Sequence, residues 1–270
     1  NKPAPPAGRF WPDRAPSSLR QGWRRWAPPP AHEDSGRYPA GRPPPWVLSP
    51  LQKERPRPPA EAAPAAGQKA VVSAIFGIVD ENGYRQFREV FIVVARKNGK
   101  TLFASAIIAY MAYLDGEYGA KIYCLAPKLE QADLVYDAFY QITQSDEELG
   151  DPDFTKKRRS DVYIPELNTS IKRLAFNSKK SDGFNPHLAV CDEIEAWPGE
   201  QGLKQYEVMK SALGARKQPL ILSISTAGYI NDGIYDELMK RSTAFLKGNS
   251  EEARLLPFLY MIDDVEKWDD

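Results

Sequence analysis

Two textures of hydrophobic and polar positions alternate along most of this chain. One is the short run that is apolar at nearly every position: "REVFIVVA" (Arg88 to Ala95), "KIYCLAP" (Lys121 to Pro127), "HLAVCDE" (His187 to Glu193) and "QPLILSISTAG" (Gln218 to Gly228). Such runs have the length of strands and no polar face, so they predict strands buried on both sides. The other texture is longer, with apolar positions at helical spacing. "KTLFASAIIAYMAYLDG" predicts a helix closed near Gly116, and in "EQADLVYDAFYQITQ" Ala132, Val135, Phe139 and Ile142 share one face of an amphipathic helix. "GIYDELMKRSTAFL" (Gly233 to Leu246) predicts a further helix. "VVSAIFGIV" (Val71 to Val79) suits either a helix or a strand packed on the core, and "DENGYR" (Asp80 to Arg85) is a turn with the Asn-Gly signal. A polar insert, Asp146 to Asp161, precedes a pair of short strands near Val162 and from Ile171 to Phe176. Strands alternating with helices predict an α/β fold with a mainly parallel central sheet flanked by helices.

Residues 1–67 break the pattern. They hold 17 of the 24 prolines and show no apolar periodicity, which predicts a disordered segment. Arg and Trp interleave in "RQGWRRW" (Arg20 to Trp26), as in either a solvated tail or a nucleic-acid contact. The abrupt change of composition near Gly67 also fits a leader that is not native sequence, such as an out-of-frame translation. The expected organisation is therefore a leader over 1–67, a globular domain over 68–262 and the start of a linker over 263–270. The chain opens on Asn1 rather than Met, as a fragment would.

Charge narrows little: Lys plus Arg and Asp plus Glu number 36 each, although residues 1–69 carry 12 basic against 5 acidic groups. A chain of 270 residues that is 42% hydrophobic can bury a substantial core. Cys124 and Cys191 lie far apart, each inside a predicted strand, which fits a reducing, cytosolic setting better than a disulfide framework. The longest apolar run, "AIIAYMAYL", is too short to span a bilayer, so no membrane partner is expected. Two histidines and no Cys/His cluster suggest no zinc site.

Three strand ends carry candidate chemistry. After the first strand comes "ARKNGKT" (Ala95 to Thr101), half of a phosphate-binding loop, with Val94 where the first glycine of the usual pattern would stand. Gly99 lets the backbone approach a phosphate, and the amides around Lys97 and Asn98 and at the helix start aim at the anion. Lys100 can reach the outer phosphates, and the Thr101 hydroxyl can ligate Mg²⁺. A chance surface Gly-Lys-Thr turn is the competing reading. The second strand end is "LAVCDE", closing on Asp192 and Glu193. Ligands of open α/β sheets bind at that edge. Asp192 would hold Mg²⁺ through water, and Glu193 would polarise the attacking water as general base. Two solvated acids after a strand are the plainer alternative. The third is "SISTAG" (Ser223 to Gly228), whose Ser225 and Thr226 can touch a γ-phosphate and report its loss, unless the strand simply runs into a polar turn.

Together, "ARKNGKT", "VCDEIEAWP" and "SISTAG", with "SDGFNPHLAV" before the acidic pair and "LPFLYMIDD" near the end, resemble the ATPase domain of the large terminase subunit, the DNA-packaging motor of tailed bacteriophages. The resemblance covers about residues 68–270. It implies a P-loop NTPase of the additional-strand type that hydrolyses Mg·ATP and drives double-stranded DNA into a procapsid. Portal protein, a small terminase subunit and a homo-oligomeric ring are implied partners, and the cytoplasm of a bacterial host the implied location. In that family the first glycine of the loop is commonly missing and an arginine precedes the lysine by four residues; Arg96 is that arginine here, and it can donate to phosphate oxygens. Gln68 is the nearest candidate for the family's adenine contact, although the usual aromatic and apolar neighbours are missing around it. Arg158, Arg159, Arg173, Lys179 and Lys180 are candidates for the cation that a neighbouring subunit supplies. "KKRR" (Lys156 to Arg159) suits a solvated loop or a DNA-phosphate contact better. Complete large terminases carry a nuclease domain; the acids of Asp263 to Asp270 read as linker, and no nuclease activity is expected of this chain. A helicase- or recombinase-like translocase, and a prophage remnant that binds nucleotide without turnover, are the alternatives.

Overall fold

The computed structural model describes residues 66–175, 183–228, 232–250 and 252–260. Residues 1–65, Lys179 and Lys180, and the acids after Tyr260 lie outside the described residues, whereas the last two residues of the expected leader, Ala66 and Gly67, open the first helix.

The stretch that suited helix or strand is a helix, α1 (Ala66–Gly77). An Asn-Gly turn follows, with Gly83 at φ 75° and the Asp80 carboxylate accepting the amides of Asn82 and Tyr84. The chain then enters β1 (Glu89–Val93), the phosphate-loop segment, and α2 (Lys100–Tyr113). Next come β2 (Lys121–Ala126), α3 (Leu129–Gln144), β3 (Lys156–Lys157), β4 (Asp161–Ile164) and β5 (Thr169–Ala175). β6 (Leu188–Asp192), α4 (Gly199–Ala212), β7 (Leu220–Ser225), α5 (Ile234–Leu246) and β8 (Leu255–Leu259) complete the described chain.

All eight strands join one sheet in the order β3-β4-β5-β2-β6-β7-β1-β8. The six from β5 to β8 run parallel, while β3 and β4 form an antiparallel edge. β7 is inserted between β1 and β6, the arrangement for which the additional-strand class is named. Side chains alternate across the sheet, as the pleat requires. Val90, Ile92, Ile122, Cys124, Leu188 and Val190 pack under α1, α2 and α3 with Ile75, Ile107 and Phe139. Phe91, Val93, Tyr123, Leu125, Ala189 and Cys191 pack on the other face with Trp197 and with Tyr206, Met209 and Leu238 of α4 and α5. Helices on both faces explain why the four predicted strands carry no polar stripe. Cys124 and Cys191 are buried free thiols in this core, and burial raises both well above the ordinary thiol range.

Two ion clusters pin the edge of the sheet where the parallel strands begin. Arg85 forms a two-pronged pair with Asp115 (2.9 and 2.8 Å) and also donates to the Gln218 carbonyl. His187 lies 2.7 Å from the same carboxylate. Glu89, buried at the start of β1, is held by Arg241 of α5 and Lys210 of α4, each at 2.8 Å. The opposite edge, where β1, β6 and β7 end, carries the three motifs.

Candidate nucleotide site

The phosphate loop owes its shape to two left-handed residues. Lys97 has φ 65° and Gly99 φ 71°, and Asn98 between them donates its side-chain amide to the carbonyls of Ala95 (3.1 Å) and Arg96 (3.3 Å). A left-handed lysine is strained, and such residues gather at functional sites. Gly99 immediately precedes α2, whose start has no side-chain cap; the Gly99 carbonyl accepts the Phe103 amide at 2.9 Å. The first amides of a 14-residue helix therefore face outward without a partner from a capping side chain, the arrangement that receives anions. Arg96 and Lys97 are exposed, and Lys100 and Thr101 half-buried.

Gln68 is brought to this loop from α1. A Cβ added at Gly99 would lie 3.3 Å from the Gln68 Nε2. Its neighbour Gly67 approaches Tyr260 so closely that a Cβ there would stand 1.9 Å from the phenol oxygen. Tyr260 in turn pairs with Phe258 at 4.7 Å between ring centroids. The aromatic surface missing from the sequence around Gln68 is supplied by the end of β8.

Asp192 ends β6 half-buried. Its Oδ1 accepts the Glu193 amide at 2.9 Å, and its carbonyl accepts Trp197 Nε1 at 2.9 Å. Burial raises the carboxyl to about 6; Lys100 and the Glu193 amide oppose that rise, and Glu193 and Glu195 add to it. Lys100 thus acts on Asp192 as an opposite charge. Glu193 turns left-handed (φ 51°) and opens the short 3-10 turn Ile194–Ala196, which lets its carboxylate part from that of Asp192. Gln131, in the first turn of α3, donates to the Glu193 carboxylate while its own oxygen accepts the Lys128 amide at 3.1 Å.

Ser225 and Thr226 stand beside this acidic turn. Both are buried, and both hydroxyls donate at 2.5 Å to one residue, Glu195. The Ser225 carbonyl accepts the amide of Val94, at the start of the phosphate loop, at 3.1 Å. Two functional candidates were thus missed from sequence. Glu195 is visible only as a third acid in "DEIE", and Gln131 sits inside a helix that periodicity explains without it.

A magnesium ion fits the residues present. Among the described residues no three of His, Cys, Asp and Glu gather to hold a metal by themselves. A half-buried carboxylate within the field of one lysine, with the Thr101 hydroxyl at the start of α2, suits a hard cation that arrives with nucleotide phosphates.

Of the candidate trans-acting cations, Arg173 is paired with Asp133 at 3.0 Å and lies over the Tyr136 ring. Arg158 forms a two-pronged pair with Asp161 (2.7 and 2.6 Å) and lies over Tyr163. Both are engaged within the chain, although Arg158 is exposed, as is Arg159.

Comparison with known proteins follows the same lines. The family model for the terminase large subunit, ATPase domain, matches residues 67–243. Protein YmfN of Escherichia coli (strain K12) is 32% identical over 123 residues, 43% of this chain and 26% of that protein. The large terminase of bacteriophage HK97 shares the fold with a TM-score of 0.61 at 22% identity, over 74% of this chain and 40% of that one. The ATPase domain of the Thermus phage P74-26 large terminase aligns at a TM-score of 0.48 and 15% identity, over 70% and 84% of the two chains. This chain therefore spans about a quarter of YmfN and two fifths of the HK97 protein. The family match takes in the phosphate loop, the acidic turn and the hydroxyl strand together, and this chain belongs to the terminase large subunit ATPase domain family.

Proposed function

We propose that this chain is the ATP-hydrolysing motor domain of a DNA-packaging terminase, coupling Mg·ATP hydrolysis to movement of double-stranded DNA into a procapsid. The observation that carries the reading is the convergence of three motifs on the adjacent strand ends of β6, β7 and β1. In this reading Lys97, Asn98, Gly99, Lys100 and Thr101 cradle the phosphates at the start of α2, and Arg96 adds a charged donor. Gln68 lies on the nucleotide side of the loop and contacts the base. Thr101 and Asp192 hold magnesium, which would neutralise charge developing on the phosphates. Glu193, oriented by Gln131, takes the proton of the attacking water. Ser225 and Thr226 couple the state of the site to the rest of the motor. The working unit is residues 68–262, with 1–67 a leader and 263–270 a linker. The proposal assigns no nuclease chemistry to this chain.

Double-stranded DNA is the proposed track, contacted mainly through phosphates and therefore in a salt-sensitive, sequence-indifferent way. Portal protein and a small terminase subunit are the proposed assembly partners, a homo-oligomeric ring the active form, and the host bacterial cytoplasm the place of action. Among the described residues no helix is long and apolar enough to cross a membrane. The test is ATP turnover by the purified chain with and without linear duplex DNA. Lys100→Ala and Glu193→Gln are each expected to lower turnover by roughly 100-fold or more. Turnover unchanged in either variant would overturn the roles, and no turnover in the wild type with DNA would overturn the ATPase reading.

A further inference from the structure

We propose that Glu195 is a positioning residue that latches the acidic turn after β6 to the hydroxyl end of β7, so that Glu193 and the Ser225–Thr226 segment move as one piece. Its catalytic consequence rests on the ATPase reading above; its geometry does not. The Glu195 carboxylate accepts both hydroxyls, Ser225 Oγ on Oε2 and Thr226 Oγ1 on Oε1, each at 2.5 Å. The Glu195 amide donates back to Ser225 Oγ at 3.2 Å. A competing acceptor for Ser225, the Thr226 carbonyl at 2.9 Å, is uncharged and therefore the weaker partner. The hydroxyls are thus committed to a carboxylate of the acidic turn rather than aimed directly at a phosphate.

The pieces on either side of the latch are stiff. Asp192 to Trp197 is closed by the Glu193 amide on Asp192 Oδ1, the Ala196 amide on the Glu193 carbonyl and the Trp197 indole on the Asp192 carbonyl, at 2.9 Å each. On the other side, Ser225 is a strand residue whose carbonyl receives the Val94 amide of the phosphate loop. Gly228 lies so close to Glu195 that a Cβ there would meet the Glu195 Cβ at 2.4 Å, leaving the glutamate stem little room to swing away. A displacement of the phosphate loop therefore passes through Ser225 to Glu195, and through two residues of 3-10 turn to Glu193.

Carboxylate chemistry explains why glutamate serves here. An ionised carboxylate accepts on both oxygens as a charged partner, whereas an amide offers one uncharged accepting oxygen and would have to donate to the second hydroxyl, whose proton must then turn elsewhere. Glu195→Gln therefore keeps the shape and weakens the latch. Hydrogen exchange of the full chain reads the tie without reference to turnover. Glu195→Gln is expected to speed exchange in 224–228 about tenfold, and Ser225→Ala/Thr226→Ala, which removes both hydroxyls, to speed it in 193–197 by about tenfold or more. Tyr118→Ala, on an exposed side chain, is expected to change neither segment. Steady-state kinetics reads the consequence: Glu195→Gln lowers kcat by roughly 10- to 100-fold with KM within about twofold, since a misplaced base acts on chemistry. Adding Ser225→Ala/Thr226→Ala to Glu195→Ala, which removes the acceptor altogether, is expected to lower kcat no further than Glu195→Ala alone, because one linkage cannot be broken twice. Loosening confined to the mutated segment, or kcat losses that multiply, would overturn the latch. A wild-type chain without ATP turnover but with reciprocal exchange effects would overturn the ATPase reading and leave the latch standing.

Discussion

Asp192→Asn is expected to make the free protein more stable and the enzyme inactive. The ordinary aspartate value is 3.8, and burial lifts Asp192 to about 6 against the pull of Lys100. A shift of that size corresponds to about 3 kcal/mol of differential free energy. The sign follows from proton binding. Below 3.8 the carboxyl is neutral in folded and unfolded chains alike, and contributes nothing. Between 3.8 and about 6 the folded chain holds the proton that the unfolded chain has lost. Above about 6 both are ionised, and the folded protein carries the whole cost of a poorly hydrated charge. Asparagine has nearly the same shape, retains an acceptor for the Glu193 amide and never ionises. At pH 8, without nucleotide and with EDTA present, the variant should therefore gain up to about 3 kcal/mol, or roughly 6–12 °C in melting temperature for a domain of this size. At pH 4 the two proteins should melt within a degree or two of each other. Thermal denaturation followed by circular dichroism from pH 4 to 8 measures both. Mg·ATP should then stabilise the wild type and not the variant. A variant less stable than wild type at pH 8, or a gain that does not vary with pH, would refute the idea that this carboxylate is held at a cost to the fold.

Three further outcomes are expected. Gln131→Ala removes the donor to Glu193 and the reciprocal bond to Lys128; turnover should fall about tenfold and stability by about 1 kcal/mol, measured by ATPase assay and thermal melt, and unchanged turnover would show that Gln131 does not orient the base. Gly228→Ala forces the added methyl against Glu195, so it should cost about 1–3 kcal/mol and lower kcat as Glu195→Gln does. Asp115→Asn leaves Arg85 and His187 buried around a neutral group and should destabilise by roughly 3–5 kcal/mol at neutral pH. Burial tends to raise the Asp115 carboxyl, but Arg85 and His187 outweigh it and hold it low. Its contribution is therefore present above about pH 4 and lost as pH falls through the depressed value, so urea titrations of wild type and variant should converge in acid.

The layers of the fold were legible because parallel strands covered on both faces leave unbroken apolar runs. "EVFIV", "KIYCLA", "LAVCD" and "LILSIS" declare themselves without help from their neighbours. What escaped was written in long-range contacts. β8 contains Pro257, yet it pairs with β1 from Leu255 to Leu259 at the edge of the sheet, where a missing amide is tolerated. α4 is polar over most of its surface and buries Gly202, Gln205, Tyr206 and Met209, a face too mixed to signal a helix by hydrophobicity. Residues 1–65 of the leader, the linker and two of the five candidate trans-acting cations fall outside the described residues.

The site divides in the same way, and the division has a physical cause. Residues proposed to meet a ligand through the backbone or at a fixed offset from a strand end, such as Gly99, Lys100, Thr101, Asp192 and Glu193, can be nominated from spacing, because strand, turn and helix fix where they stand. Residues that act through another side chain have no such offset. Gln131 meets Glu193 because α3 follows β2 and β2 lies beside β6, a relation of sheet order and not of sequence. Glu195 meets Ser225 and Thr226 because β6 and β7 are neighbours in register, Asp192 opposite Ile224, which puts the residues beyond both strand ends within reach. The opening anomaly in the phosphate loop yields to the same logic. The position of the absent first glycine is Val94, whose amide is spent on the Ser225 carbonyl. That residue serves the sheet, and through Ser225 the Glu195 latch, rather than the phosphate. The left-handed turn that brings the backbone round is made later, by Lys97 and Gly99. The Val94 amide ties the start of the loop to the strand that carries the hydroxyls, and a valine there leaves the tied backbone less freedom than a glycine would, a rigid connection of use to the proposed motor.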